Sequence, residues 1–364
     1  MSRLRVSMLL CVLALGAFAA GCGGDDDGDS TTAASSDSAQ LAAVKDYLTE
    51  HSAQLTEQAD RMEQIGARYY DLAESVDFDY ARLLQQRCGV VEALLGDAKK
   101  VFVAANPAYE EMEGIVAGVP RLAHYDVDID AGADASDPES AVSFSLTLED
   151  GTKLKQPGNL FFLMETALWG TNPDLVAEGV EPDVDCDGEV AFGEGLPDAA
   201  IFKAATAEFA AQAKQLNDDA KQFEPTPSDA LTSIVVMTPT MSEYFGQWKN
   251  TAFVAGKGDQ KEQSFVATSR LSDIADILEG IAFTYAEIEP QIAAESPQQA
   301  KQTKRELNQL LAFAADLRDR EAAGEKFTPK QADQLGSEAQ ARAEAIAGQV
   351  TQAAKQLGIE LQES

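Results

Sequence analysis

The chain has 364 residues, 61 acidic and 28 basic, for a formal net charge of −33, and 45% of it is apolar. That length suggests about two domains, and the apolar fraction is enough for real cores, which excludes global disorder. Charge this negative argues against nucleic acid as a partner, because that affinity comes mainly from Lys and Arg neutralising phosphates. Two histidines in all leave little for a His-rich metal or catalytic site.

Arg3 and Arg5 precede an apolar run from Val6 to Ala20, which ends in Ala19-Ala20-Gly21-Cys22. A basic start, an apolar stretch and small residues before a break describe a secretory signal over residues 1–21. The run is short for a membrane span, which takes about 20 apolar residues. Cys22 directly after Ala-Ala-Gly resembles the lipobox of bacterial lipoproteins, and this resemblance implies an acylated N-terminal cysteine anchoring the chain outside the cytoplasm. The alternative is a plain cleaved signal with an incidental cysteine. Residues 22–39, rich in Asp, Gly, Ser and Thr, cannot bury apolar surface and are expected to form a disordered acidic tether. With Cys11 in the signal and Cys22 lipidated, Cys88 and Cys186 remain. In an oxidising compartment they suggest a disulfide, or else two separate buried thiols.

From residue 40 the pattern is helical. Leu41, Val44, Leu48, Leu55, Met62, Ile65, Tyr69 and Leu72 fall in steps of three, four or seven, one stripe along a long helix. Tyr80, Leu84, Cys88, Val91, Leu95, Ala98 and Phe102 make a second, and Asn106-Pro107 is expected to restart a short helix through Ile115. Residues 120–157 break the pattern: Val142, Phe144, Leu146 and Leu148 alternate with polar residues and Asp150-Gly151 follows, a hairpin signal. A helix runs from Leu160 to Gly170, a Pro/Gly/Asp-rich loop spans 171–197, and Phe202, Ala205, Phe209, Ala213, Leu216 and Phe223 mark another helix.

Glu224-Pro225-Thr226-Pro227 is the expected domain boundary, with Ser228 as a candidate cap. A helix carrying Leu231, Ile234 and Val235 is interrupted at Pro239. Leu271, Ile274, Leu278, Ile281, Tyr285 and Ile288 define the next, and Leu307, Leu310, Ala314 and Leu317 another, closed by Gly324. Ser296-Pro297-Gln298-Gln299 and Thr328-Pro329-Lys330-Gln331 have the form of capping boxes. Short connections between amphipathic helices imply antiparallel bundles. The expected fold is all-α, two tandem antiparallel helical bundles over 40–224 and 225–364 with a small β-hairpin excursion.

The segment from Leu160 to Gly170, with Glu165 and a closing Leu168-Trp169-Gly170, resembles the imelysin signature, which runs G-x-H-x-x-E and ends in L-W-G. Pro107-Ala108-Tyr109-Glu110-Glu111-Met112-Glu113 is similar to the Tyr-Glu-x-x-Glu stretch of that family's EfeM/EfeO branch, and Ser269 to Leu361 resembles the branch in helix order. The resemblance covers about residues 40–360. It implies a non-enzymatic, extracytoplasmic binding component of iron uptake, with an iron permease or a peroxidase of the same system as partner and Fe or another divalent cation as ligand. It assigns Glu110, Glu113 and Glu165 to the metal. Phe162 stands where the signature has histidine, Leu160 where it has glycine, and a second family histidine falls on Thr268. Without imidazole, three carboxylates suit a hard cation held through oxygen. The alternative is that Glu165 merely hydrogen-bonds inside the bundle, which would leave a degenerate scaffold or ligand-binding lipoprotein. A peptidase is a further alternative that the missing histidine disfavours.

His51 lies on the first apolar stripe and is expected to be a core histidine, His124 a loop residue. Asp183, Asp185, Asp187, Gly188, Glu189, Val190 and Glu194 match a twelve-residue calcium loop, D-x-D-x-D-G-x-V-x-x-x-E. Asp126-Val127-Asp128-Ile129-Asp130 begins similarly but has Ala131 in the glycine position, and is expected to be a solvated acidic loop. No G-x-S-x-G elbow, Walker loop, Rossmann fingerprint, H-E-x-x-H or C-x-x-C is present.

Overall fold

The computed structural model describes residues 31–131, 145–155, 157–256 and 264–362, with side chains from Leu41 onward. The signal run, Cys22, Val142 and Phe144 lie outside the described residues. Helix α1 (Thr31–Glu74) buries Leu41, Val44, Leu48, Leu55, Met62, Ile65 and Tyr69 as the spacing requires. It starts inside the stretch expected to be a tether. Once the helix from Leu41 exists, each further residue adds a hydrogen bond at little cost, and Ala33, Ala34 and Ala39 favour that extension.

Helix α2 (Tyr80–Val116) begins at Asp79, whose carboxylate accepts the N–H of Arg82 at 2.9 Å. It does not restart at Pro107 but runs through it. Ala105, Asn106, Ala108 and Tyr109 around it are all buried, so packing carries the helix past the hydrogen bond that proline removes. The only non-helical residue inside α2 is Arg87, beside Cys88. Short helix α3 (Ala123–Asp126) continues into one π-helical turn, Val127–Ala131. Exposed His124 therefore sits on a helix, not in a loop. Strands β1 (Ser145–Thr147) and β2 (Lys153–Lys155) pair antiparallel across Asp150-Gly151, with Leu146 opposite Leu154.

Helix α4 (Leu160–Trp169) is capped by Asn159, which accepts the N–H of Phe162 at 2.7 Å, and ends at left-handed Gly170. Helix α5 (Ala199–Gln222) follows the long loop. At the expected boundary the cap is Thr226, not Ser228: its hydroxyl and Asp229 form a reciprocal capping box around Pro227. Helix α6 (Pro227–Met237) passes through a 3₁₀ turn containing Pro239 into α7 (Met241–Asn250). Helices α8 (Arg270–Glu295), α9 (Pro297–Ala322) and α10 (Pro329–Leu357) complete the second half. Thr328 and Gln331 form the expected capping box. Ser296 does not: it already closes α8 by donating its N–H to Ile292, and its hydroxyl makes no capping bond.

The fold is all-α; its described β structure is one two-stranded sheet and an isolated bridge between Val176 and Pro197. Helices α1, α2, α4 and α5 pack together, α8 packs on α9, and α10 packs on α6, α7 and α9. The halves meet where α2 lies along α8, and one buried apolar cluster runs through both. Glycine sets that approach: a Cβ on Gly280 of α8 would stand 2.0 Å from the carbonyl oxygen of Glu111 on α2, and one on Gly114 would stand 2.9 Å from Ile281. No described helix is long and apolar enough to cross a membrane. Gly280→Ala must push α2 and α8 apart. Overpacking of this kind costs about 1–3 kcal/mol, which a lowered urea midpoint at unchanged m-value would report.

Candidate metal centre

On α2 the Glu110 and Glu113 spacing puts both carboxylates on one face, turned toward α8. Both are buried. Asn106, one turn earlier, donates to Glu110 Oε1 at 3.0 Å, and Tyr244 of α7 donates to Glu113 Oε1 at 2.8 Å. Asp130, at the end of the π turn, completes a set in which one oxygen from each of Glu110, Glu113 and Asp130 lies within 4.8 Å of the others. Tyr109 donates to buried Asp126 at 2.6 Å. The segment expected to be a solvated acidic loop thus delivers two inward carboxylates. Tyr125 and Ile129, one turn apart and fully buried, pin it against the core.

The one cation in this set is Arg270, buried at the first position of α8. Its Nη1 lies 3.2 Å from Asp273, 3.6 Å from Asp130 and 3.7 Å from Glu110, while Nε donates to Gln247 at 2.9 Å. The guanidinium also rests against the rings of Tyr244 and Phe265, 4.5 and 4.6 Å from their centroids. Glu110, Glu113, Asp126, Asp130 and Asp273 therefore share one positive charge.

Burial raises every one of these carboxyls. It takes Glu113 to about 7 and Asp273 to about 6, and with Asp273 and Asp130 nearby it drives Glu110 well above the ordinary range. Asp126 is also driven well above it, and Asp130 is raised. Burial alone would lower Arg270, but Asp130, Glu110 and Asp273 outweigh it and hold the guanidinium charged. Glu110 Oε2, Glu113 Oε2 and Asp273 Oδ1 are buried without a hydrogen-bond partner. Buried oxygens in that condition call for a proton or a cation.

Glu165 stands apart from the ring. Its Oε2 accepts the N–H of Phe265 at 2.7 Å, and its Oε1 accepts those of Val266 and Ala267 at 2.9 and 2.8 Å. Burial lifts it to about 7 against the pull of those three amides. It clamps the loop ahead of α8 onto α4 and so fixes where Arg270 begins. Phe162 is buried against Gly158, and the Thr268 hydroxyl donates to Asn106 Oδ1 at 3.2 Å, next to Glu110.

The acidic loop makes a second group on the surface. Oxygens of Asp183, Asp185 and Asp187 lie within 4.8 Å of one another, and Gly188 takes the positive φ that the turn needs. Asp183 accepts the N–H of Gly188, Asp185 that of Asp187, and Asp187 that of Glu189. The Glu189 side chain does not join the three aspartates. Glu194 folds back to accept the Ala191 N–H at 3.3 Å. A Cys88–Cys186 disulfide, Cα–Cα 6.4 Å, and Lys99 donating to the Gly193 carbonyl at 2.7 Å hold the loop on α2.

Of the residues expected to bind metal, Glu110 and Glu113 come together and Glu165 does not join them. Asp130, Asp126, Arg270 and Asp273 were missed. The buried pair Tyr125 and Ile129, and a lone basic residue opening an apolar helix, were the available signals. These features define a helical-bundle protein with a buried cluster of carboxylates around one arginine between its halves. The imelysin family model, which carries a peptidase name, matches residues 65–352, and the chain belongs to that family. No curated protein is significantly similar to it.

The raised carboxyls fix a sign for pH dependence. Each binds its proton more tightly folded than unfolded, so its stabilisation is full below the unfolded values of 3.8 to 4.5; that of Asp273 is lost as pH rises through about 6 and that of Glu113 through about 7. The metal-free chain should show a higher urea midpoint at pH 5 than at pH 8, and Glu113→Gln should make that fall shallower.

Proposed function

We propose that this chain is a lipid-anchored, extracytoplasmic binding protein that takes up a divalent cation, iron foremost, in the manner of the EfeM/EfeO branch. The observation that carries this reading is the buried ring of Glu110, Glu113 and Asp130, with carboxylate oxygens left unpartnered and a single guanidinium among five carboxylates. An all-oxygen donor set favours a hard or borderline ion such as Fe²⁺, Mn²⁺ or Ca²⁺. The cation is cargo in this reading, and no reaction is assigned to the chain. Cys22 supplies the anchor, and an iron permease or peroxidase of the same system is the expected partner.

Titration of the metal-free chain with Fe²⁺ and Mn²⁺ tests it. Glu110→Gln and Glu113→Gln should each weaken inner-site binding at least about tenfold, in line with the loss of a ligand or its supporting partner. Retained affinity in both variants would favour the rival reading, a scaffold in which Arg270 is the permanent cation. Cleavage of denatured protein that a chelator stops would favour the peptidase.

The Asp183 loop supports a separate calcium reading, because three aspartate oxygens converge on a turn tethered by a disulfide. Terbium luminescence sensitised by nearby aromatics should saturate on the wild-type chain and be displaced by Ca²⁺. Asp185→Asn should lower that affinity about tenfold, leaving the inner site untouched.

A further inference from the structure

The α2–α8 contact has a second face. Glu111 follows Glu110 in sequence and so points about 100° away from it around α2, toward α1. There it meets His51, which retains only 8% of its exposure. The imidazole packs at a tilt against Tyr47, ring centroids 4.2 Å apart, and Tyr47 in turn stacks on Phe283 at 4.3 Å. The Tyr47 hydroxyl donates to the backbone carbonyl of Glu111 at 3.2 Å, and Gly280 gives that carbonyl room.

His51 Nδ1 stands 3.2 Å from Glu111 Oε2, yet it is buried with no hydrogen bond. Burial, opposed by the fields of Glu50 and Glu279, lowers the imidazole's pKa and favours the neutral form that binds metal. Two donor atoms therefore face each other at a separation that a shared ion would explain. Metal–nitrogen and metal–oxygen bonds of about 2.0–2.2 Å put neighbouring donors about 2.8–3.1 Å apart in octahedral and about 3.3–3.6 Å apart in tetrahedral geometry, two ranges that bracket the observed separation. Exposed Glu50 and Glu279 lie close enough to bias the imidazole. Half-buried Asp276 adds negative field on the α8 side, with Arg318 3.9 Å from it.

We propose that His51 and Glu111 form a second divalent-cation site, distinct from the Glu110 ring, selective for borderline first-row ions that accept one imidazole and carboxylate oxygen, such as Cu²⁺, Zn²⁺ or Fe²⁺. The site needs none of the inner-ring residues as ligands. It would sit one side chain away from the ring on the same turn of α2, where an ion arriving from solvent meets α1, α2 and α8 together.

The two-histidine composition makes the test clean. Cu²⁺ is added to the metal-free full chain at one equivalent, and nitrogen coupling is read by electron paramagnetic resonance. The wild-type spectrum should carry coupling from one imidazole. His51→Gln should abolish it, His124→Gln should leave it, and Glu113→Gln should leave it even where inner-site binding is lost. Glu111→Gln should keep the coupling but weaken Cu²⁺ about tenfold. Imidazole coupling absent from the wild type, retained in His51→Gln or lost in His124→Gln overturns the proposal. If His51→Gln fails to fold, His51→Asn replaces it: loss of the imidazole coupling supports the site, and retained coupling overturns it.

Discussion

A buried guanidinium facing more carboxylates than it can neutralise is the constraint around which the centre of this protein is arranged. Arg270 has Asp273, Asp130 and Glu110 within 3.7 Å and two aromatic rings against its plane. A buried pair is costly to desolvate, and removing one partner of such a pair is costlier still. Here the imbalance runs the other way, with acids in excess. The surplus must be met by protons or by a further cation. That one electrostatic fact links the raised carboxyls, the unpartnered oxygens and the proposed cargo.

Positioning this cluster takes both halves of the chain. The acids come from α2, α3, the π turn and α8, the arginine from the start of α8, and Tyr244 and Gln247 from α7. Close approach of α2 and α8 depends on glycines in the contact, which replace side-chain bulk with backbone against backbone. Family membership fits this construction, since the matched span of 65–352 takes in every residue of the cluster.

Most of the helical frame was legible in the sequence because apolar stripes encode it directly: the α1, α5, α8 and α9 core positions are the ones that spacing picks out. What failed were local rules overridden by context. Pro107 did not break α2 because the residues around it are packed into the core, and Ser296 did not cap α9 because it was committed to closing α8. Half of the centre was legible as well, through the Glu110 and Glu113 spacing. The other half was not, because Asp130, Arg270 and Asp273 reach it from distant parts of the chain. Asp126 and Asp130 were mistaken for solvated residues, since their burial is decided by Tyr125 and Ile129 beside them. Glu165 was legible as a special carboxylate, but its partners are backbone amides, which sequence does not display.

Glu165 has a consequence for how the molecule could be divided. Its grip on the amides of Phe265, Val266 and Ala267 fastens a loop of the second half to a helix of the first, and holds Phe265 in a left-handed conformation. The hinge-like Pro-Thr-Pro segment before α6 invites dissection of the gene into two independent modules. Neither module would inherit a working centre: one would carry acids without their counter-charge, and the other an arginine with no template to aim it. A change in the outer loops leaves this fastening alone, whereas a change on the contact face of one half has to be matched by the other.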